Sequence, residues 1–258
     1  MNQLLNIYKP VGLTPLQLIQ QLRLQKPEYK NATIGYAGRL DPMAEGVMLL
    51  MIGEETKKRE KYLSLDKEYD FTVLFGVETD TYDFLGLLKE TKINPTPDNV
   101  NLIVNSFANK MHGLNTQSYP PYSSKTIQGK PLFLWAKEGK LDEIEIPTHD
   151  IDIKELRLKT INEVVTPDLE QHIFDNIKLI EGDFRQKEIT ERWKGFFQEN
   201  SEKTFMQATF HMRCSSGTYV RQLVHELGKE LGCGAITVSI VRTKLGNYDV
   251  KKTLRLKS

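Results

Sequence analysis

Cysteine is scarce. Cys214 and Cys233 are the only two, and neither belongs to a Cys-x-x-Cys pair. No disulfide framework is available, and both read as reduced thiols of a cytosolic protein. Long hydrophobic runs are missing as well. The longest uninterrupted apolar stretch is Val47 to Ile52, far short of the roughly 20 residues a membrane-spanning helix needs. The N-terminus shows no basic region followed by an apolar segment, so a secretion signal is not indicated. The expectation is a cytoplasmic protein with no membrane association.

Several chemical signatures are also absent. There is no GxGxxG, no GxxxxGK[ST] and no serine-nucleophile elbow, which removes the support for a nucleotide cofactor or an elbow-borne serine. His211, Cys214, His225 and Cys233 lack zinc spacing, and Asp80-Thr81-Tyr82-Asp83 does not match a calcium loop. No metal and no organic cofactor are expected. Asn31-Ala32-Thr33 fits a glycosylation sequon, which without a secretion signal is a coincidence. No repeat and no low-complexity segment interrupts the chain.

What is present is an ordinary globular composition: 258 residues, 39% hydrophobic and 27% charged. The net charge of +1 conceals a segregation. Residues 1–62 carry 9 Lys and Arg against 6 Asp and Glu, residues 63–205 carry 17 against 25, and residues 206–258 carry 9 against 3. If the fold joins the two ends, they form a basic face that suits a polyanion.

Thr14 caps a helix running to Leu22, with Pro15 at its first position and Gln17 completing a capping box. Lys67 to Phe75 alternates as a half-buried strand with Tyr69, Phe71, Val73 and Phe75 on one side. Thr96 and Pro97 open a second helix whose stripe is Val100, Ile103, Phe107 and Met111. Residues 117–140 are punctuated by Pro120, Pro121, Gly129, Pro131 and Gly139 and interleave Tyr119, Tyr122, Phe133 and Trp135 with Lys125, Lys130, Lys137 and Lys140. They read as an irregular loop whose cations and rings could grip nucleic acid or pack on the core.

Residues 160–204 read as acidic and irregular, with Trp193 to Phe197 as a buried anchor. Phe205 to Cys214 alternates as a second strand. Ser215, Ser216 and Gly217 then turn the chain, Thr218 caps, and Val220, Leu223, Val224, Leu227 and Leu231 form a helical stripe ending at Gly232. Arg221 falls in the first turn of that helix. Asp41 lies on a short bend whose glycines at 35, 38 and 46 allow close backbone approach, with Pro42 holding Asp41 extended.

Five ordered blocks then carry a resemblance: Lys9-Pro10-Val11-Gly12-Leu13-Thr14; Gly38-Arg39-Leu40-Asp41-Pro42-Met43-Ala44-Glu45-Gly46-Val47; Lys67-Glu68-Tyr69 with Gly76, Thr79-Asp80-Thr81 and Asp83; Gln117 to Gly129; and Cys214 to Arg221. Together they resemble the TruB family of tRNA pseudouridine synthases over most of residues 5–150 and 205–248. The resemblance implies an α+β fold with a central, mainly antiparallel sheet flanked by helices and an RNA-binding cleft. It implies isomerisation of the T-loop uridine at position 55 of tRNA, without cofactor, by an enzyme that extrudes the base. Asp41 is then the essential carboxylate, attacking C1′ or handling a glycal-like intermediate.

In the same reading Arg221 pairs with Asp41 and keeps it ionised. Tyr69 stacks on the flipped base, its hydroxyl available for proton handling. Lys9, Tyr36, Arg39, Tyr122, Lys125, Lys130 and Tyr219 are the expected RNA contacts. Residues 1–258 are expected to be a single monomeric catalytic domain, with 117–140 as the RNA-gripping loop, 160–204 as a divergent segment and 205–258 as a closing strand and helix. No C-terminal RNA-binding domain is expected. Lys244, Lys251, Lys252, Arg255 and Lys257 are expected to compensate in part.

Some residues depart from the family pattern. Tyr36 stands where bacterial members usually have histidine, Arg39 and Glu45 replace small or hydroxylated residues, and Pro15 replaces a usual serine. These departures leave one rival expectation, a catalytically weakened RNA-binding or RNA-folding protein of the same fold; a second rival is a guide-RNA-dependent synthase subunit, whose relatives share the same core.

Overall fold

The two alternating segments form the middle of the protein. In the computed structural model, which describes residues 2–89 and 95–257, Lys67–Phe75 and Thr204–Cys214 are adjacent antiparallel strands. Successive side chains of a strand point to opposite faces, so the alternation buries one set of side chains in each. Phe71 and Phe210 sit opposite one another and stack with centroids 5.3 Å apart.

In chain order the elements are β1 (Gln3–Lys9), α1 (Pro15–Gln25), β2 (Ile34–Ala37), β3 (Ala44–Ile52), α2 (Arg59–Leu63) and β4 (Lys67–Phe75). Then come α3 (Pro97–Lys110), β5 (Gly113–Ser118), the short β6 (Thr126–Ile127) and β7 (Lys130–Pro131), and α4 (Leu132–Lys137). β8 (Thr148–Val165), α5 (Thr166–Lys178), α6 (Gln186–Glu199), β9 (Thr204–Cys214), α7 (Val220–Leu231), β10 (Ala235–Leu245) and β11 (Tyr248–Asp249) complete the chain. Among the described residues, nine strands form one sheet in the order β1-β3-β10-β4-β9-β8-β5, with β2 on β3 and β11 on β10. All pairings are antiparallel except β3 with β10. The expected α+β architecture with a mainly antiparallel sheet is present. No helix among the described residues is long and apolar enough to cross a membrane.

The topology brings the chain ends together. β10 lies between β3 and β4, and Leu254 bonds along β1, its N–H donating to the Asn6 carbonyl and its carbonyl accepting from Tyr8. Strands β1, β2, β3, β10 and β11 of the basic terminal segments therefore adjoin one another, while β4, β8, β5, α3, α5 and α6 come from the acidic middle, and β9, from the basic C-terminal segment, lies between β4 and β8.

Local signals hold where the chemistry is local. Thr14 and Gln17 form the reciprocal capping box, with Leu18, Ile19 and Leu22 buried. Gly232 ends α7 in the left-handed conformation that favours glycine. Thr218 is not the cap of that helix. Tyr219 occupies the position, and the Thr218 hydroxyl donates to the Ser215 carbonyl inside the turn.

Two segments are more regular than expected. Residues 117–140 include the β6–β7 hairpin and α4, because Lys125 and Ser123 supply carbonyls to Leu132 and Phe133 at the helix start. Residues 160–204 hold the end of an 18-residue strand and the helices α5 and α6. Their acidic, exposed faces hide a stripe made of Leu169, Ile173, Ile177, Ile189, Trp193, Phe196 and Phe197, all buried. Trp193 stacks on Phe197, 5.3 Å between centroids, and its indole N–H donates to the Phe84 carbonyl at 3.0 Å.

Replacing Trp193 with alanine is expected to cost about 3–5 kcal/mol through the cavity and the orphaned carbonyl. Urea unfolding measures it; an unchanged midpoint would show that α6 is not part of the core.

Candidate active site

Asp41 stands on the bend between β2 and β3, and the backbone around it is fixed from several sides. Its carbonyl accepts from Ala44, the Pro42 carbonyl accepts from Gly12, and the Arg242 guanidinium donates to the carbonyls of Val47 at 2.7 Å and Gly38 at 3.2 Å. Gly46 shows why glycine is needed there: at φ +110°, an added Cβ would lie 2.3 Å from the Arg242 carbonyl oxygen. Gly38 is also left-handed, at φ +70°. Gly35 carries no such constraint, since its Cβ would make only ordinary contacts, with Met51 Cε at 3.4 Å and Thr56 Cγ2 at 3.5 Å.

Helix α7 delivers Arg221 to this bend. Its Nε donates to Asp41 Oδ2 at 2.8 Å, Nη1 to the Thr81 carbonyl at 2.6 Å and Nη2 to the Tyr122 carbonyl at 3.2 Å. Asp83 Oδ2 is 3.5 Å from the same Nε. The guanidinium is therefore enclosed, its side chain 4% exposed, while Asp41 keeps 34% of its side chain open. Burial alone would lower the arginine pKa, but the negative charges of Asp41 and Asp83 more than offset it and leave it raised.

Asp83 is deeper, with 5% side-chain exposure. Its Oδ1 accepts from the Thr81 hydroxyl at 2.7 Å and from the Leu85 N–H at 2.9 Å. Burial pushes its pKa up to about 6, against the pull of Arg221. One arginine thus serves two carboxylates of unlike environment, one sealed and one open.

The other expected residues fall into groups. Tyr69 is buried on β4, within electrostatic reach of Asp41 and Arg242, and burial raises its hydroxyl pKa. Tyr219 follows the 215–217 turn and is clamped by the buried Gln117, whose Nε2 donates to the Tyr219 carbonyl at 3.1 Å and whose Oε1 accepts its N–H at 2.8 Å. Burial, then the Asp41 charge, pushes the Tyr219 hydroxyl up to about 12. Lys125 lies over the Tyr119 ring at 4.8 Å, and that ring meets Tyr219 edge-on at 5.7 Å. Tyr36 and Arg39 pair with each other, Arg39 Nη2 donating to the Tyr36 hydroxyl at 3.1 Å.

Lys9 is a correction. It is fully buried, with Nζ donating to the carbonyls of Ala44 at 2.5 Å and Pro10 at 2.9 Å. It braces the Asp41 bend from inside and presents no cation to a surface. Burial pulls its pKa down to about 7, opposed by the charge of Asp41. Lys130 is on the β6–β7 hairpin, tied to Glu138 at 2.5 Å and placed 4.5 Å from the Trp135 centroid. Glu45 accepts the Tyr8 hydroxyl at 2.6 Å, and Arg255 lies over the Tyr8 ring. Lys244 pairs with Glu68 at 3.0 Å.

Sequence reasoning missed Arg242 and gave Gln117 and Asp83 no role. Arg242 had a signal, since it continues the inward positions of an otherwise apolar strand. Gln117 is a polar residue with no pattern of its own. Among the described residues no group of three His, Cys, Asp or Glu side chains could hold a metal ion.

The sheet and helices around this site have counterparts among solved structures. The Cbf5-Nop10-Gar1 complex contains a chain that superposes with a TM-score of 0.59 at 16% identity, covering 98% of this chain and 52% of that one. An H/ACA RNP bound to a substrate RNA containing 2′-deoxyuridine gives 0.56 at 16%, over 98% and 50%. The chain spans about half the length of these solved chains, and at this identity the likeness is one of fold. The family model described as TruB family pseudouridylate synthase (N terminal domain) matches residues 26–174, more than half of the sequence. The chain belongs to the TruB family. It is 29% identical to tRNA pseudouridine synthase B of Clostridium novyi, over 99% of this chain and 71% of that protein. It is also 29% identical to that of Aquifex aeolicus, over 99% and 72%.

Asp83 generates a pH prediction. A carboxyl with a raised folded pKa binds its proton more firmly in the folded state, so its stabilising contribution is complete below pH 3.8 and is lost as pH rises through about 6. Asp83→Asn is expected to flatten the dependence of unfolding free energy on pH across that window. An unchanged slope in urea titrations would contradict the burial-driven shift.

Proposed function

We propose that the chain isomerises the T-loop uridine of tRNA to pseudouridine, with Asp41 as the catalytic carboxylate. The observation that carries this reading is the ion pair itself: a buried guanidinium holds one oxygen of a carboxylate that remains one-third open. An ionised acid in a fixed direction is what C1′ chemistry on an extruded nucleoside requires. The glycosidic bond from N1 to C1′ breaks, the base turns, C5 bonds to C1′, the C5 proton leaves and N1 regains one. No electrons are gained or lost.

Tyr69 supplies an aromatic face for the extruded base, and its raised pKa keeps the hydroxyl protonated and able to donate near neutral pH. Tyr36, Arg39, Tyr122, Lys125, Lys130 and Tyr219 contribute RNA contacts, Lys125 through the phosphates and Tyr36 and Tyr219 through their rings. The chain acts as a monomer on tRNA alone.

Pseudouridine mapping in a T-arm transcript tests the reading. The purified wild-type chain is expected to modify the T-loop uridine without a partner, and Asp41→Asn is expected to abolish the reaction. Full activity in that variant would refute the assignment, and strict dependence on a guide RNA would make the chain a guided subunit.

The two lysines give a second test through the salt dependence of RNA binding. Lys125→Ala is expected to reduce the slope of log K against log salt by about 1, as for one lost phosphate contact. Lys9→Met is expected to leave that slope unchanged while lowering thermal stability. An equal loss of slope for both would mean that Lys9 reaches RNA.

A further inference from the structure

The connection between α5 and α6 places Arg185 against the back of the Asp41 group. Arg185 has a left-handed backbone, φ +61°, a conformation that non-glycine residues adopt only where the surroundings hold it. Its guanidinium binds Asp80 with both arms, Nη1 to Oδ2 at 2.7 Å and Nη2 to Oδ1 at 3.2 Å. It also lies over the Tyr122 ring, 4.7 Å from the centroid.

Asp80 is saturated by these contacts and two more. Its Oδ2 accepts the Tyr122 hydroxyl at 2.9 Å, and its Oδ1 accepts the Leu87 N–H at 2.7 Å. The pair is largely withdrawn from water, with 20% and 24% side-chain exposure. Planar bidentate contact and ring stacking together are a guanidinium property that an ammonium cannot reproduce.

The two segments that Arg185 joins are those whose carbonyls hold Arg221. Thr81 follows Asp80 directly and accepts Arg221 Nη1, and Tyr122 accepts Nη2 through its own carbonyl. We propose that Arg185 is a positioning residue for the isomerisation: by clamping Asp80 to Tyr122 it fixes both main-chain acceptors of Arg221, and so the direction of Asp41. The segment 160–204 thereby acquires a role, as the support of a site to which it contributes no reacting group. The kinetic part of this inference rests on the proposed function; the structural part does not.

The test uses the full chain with Arg185→Gln, Arg185→Lys, Asp80→Asn and the Arg185→Gln/Asp80→Asn double variant. Single-turnover pseudouridine formation on a T-arm RNA is measured beside RNA affinity and hydrogen exchange over residues 117–125. Both Arg185 variants are expected to slow the single-turnover step by about tenfold or more while changing Kd by less than about threefold, because misplacement of the reacting geometry affects chemistry rather than docking. The double variant is expected to be no slower than the slower single one, as for two halves of one device. Exchange over residues 117–125 is expected to rise in every variant.

A rate within about twofold of wild type overturns the proposal, as does rescue by lysine or a loss that resides in Kd. Unchanged exchange over residues 117–125 overturns it as well. Should the wild-type chain leave the T arm unmodified, the proposed function fails and the exchange measurement alone decides the clamp.

Discussion

A buried guanidinium has to be neutralised and bonded at every face, or the fold that encloses it is penalised. Removing one partner of such a buried pair costs about 3–5 kcal/mol. Arg221 meets this requirement with two carboxylates and two main-chain carbonyls drawn from the bend at Asp41, the turn at Thr81 and Asp83, and the loop at Tyr122. Three separate stretches of chain must therefore be in place at once. Much of the surrounding structure serves that end: Arg242 and Lys9 stiffen the first stretch, the internal hydrogen bonds of Asp83 the second, and Gln117, through Tyr219, aligns the start of the helix that carries the arginine.

The arrangement also separates two jobs that carboxylates do. Asp83 is sealed, and it serves Arg221 as a local counter-charge even though burial raises its proton affinity. Asp41 is open on one side, about a third of its side chain facing solvent. Chemistry needs a direction as well as a charge, and the fork of the arginine supplies it by holding a single oxygen. The departures near Asp41 fit around this core without disturbing it, since Arg39 bonds to Tyr36 and Glu45 bonds to Tyr8.

Strands β4 and β9, helix α1 and helix α7 were legible because their signals are periodic and local: alternation for the strands, a capping box for α1, a stripe and a terminal glycine for α7. The positions of Asp41 and Arg221 became meaningful through the motif blocks, and the two, 180 positions apart, are joined by one bond that no local pattern specifies. The long strand β8 and helices α5 and α6 were not legible, because their outward faces are charged and their burial is created by partners far along the chain, as with Trp193 on Phe84. Lys9 was misread for a similar reason. A lysine in a motif suggests a phosphate, and only the tertiary structure shows that its ammonium is consumed by carbonyls of its own backbone.

Strand β10 enters the sheet between β3 and β4, two strands that precede it by well over a hundred residues. The seam it closes is among the most non-local in the molecule, and closure of such long loops is entropically costly and slow. During synthesis the first two strands of the seam wait, with those edges unpaired, until β10 has emerged well over a hundred residues later. Competence thus arrives late and all at once, and a truncated product lacking this last insertion keeps Asp41 and Arg221 but not the strand whose Arg242 holds the Asp41 bend.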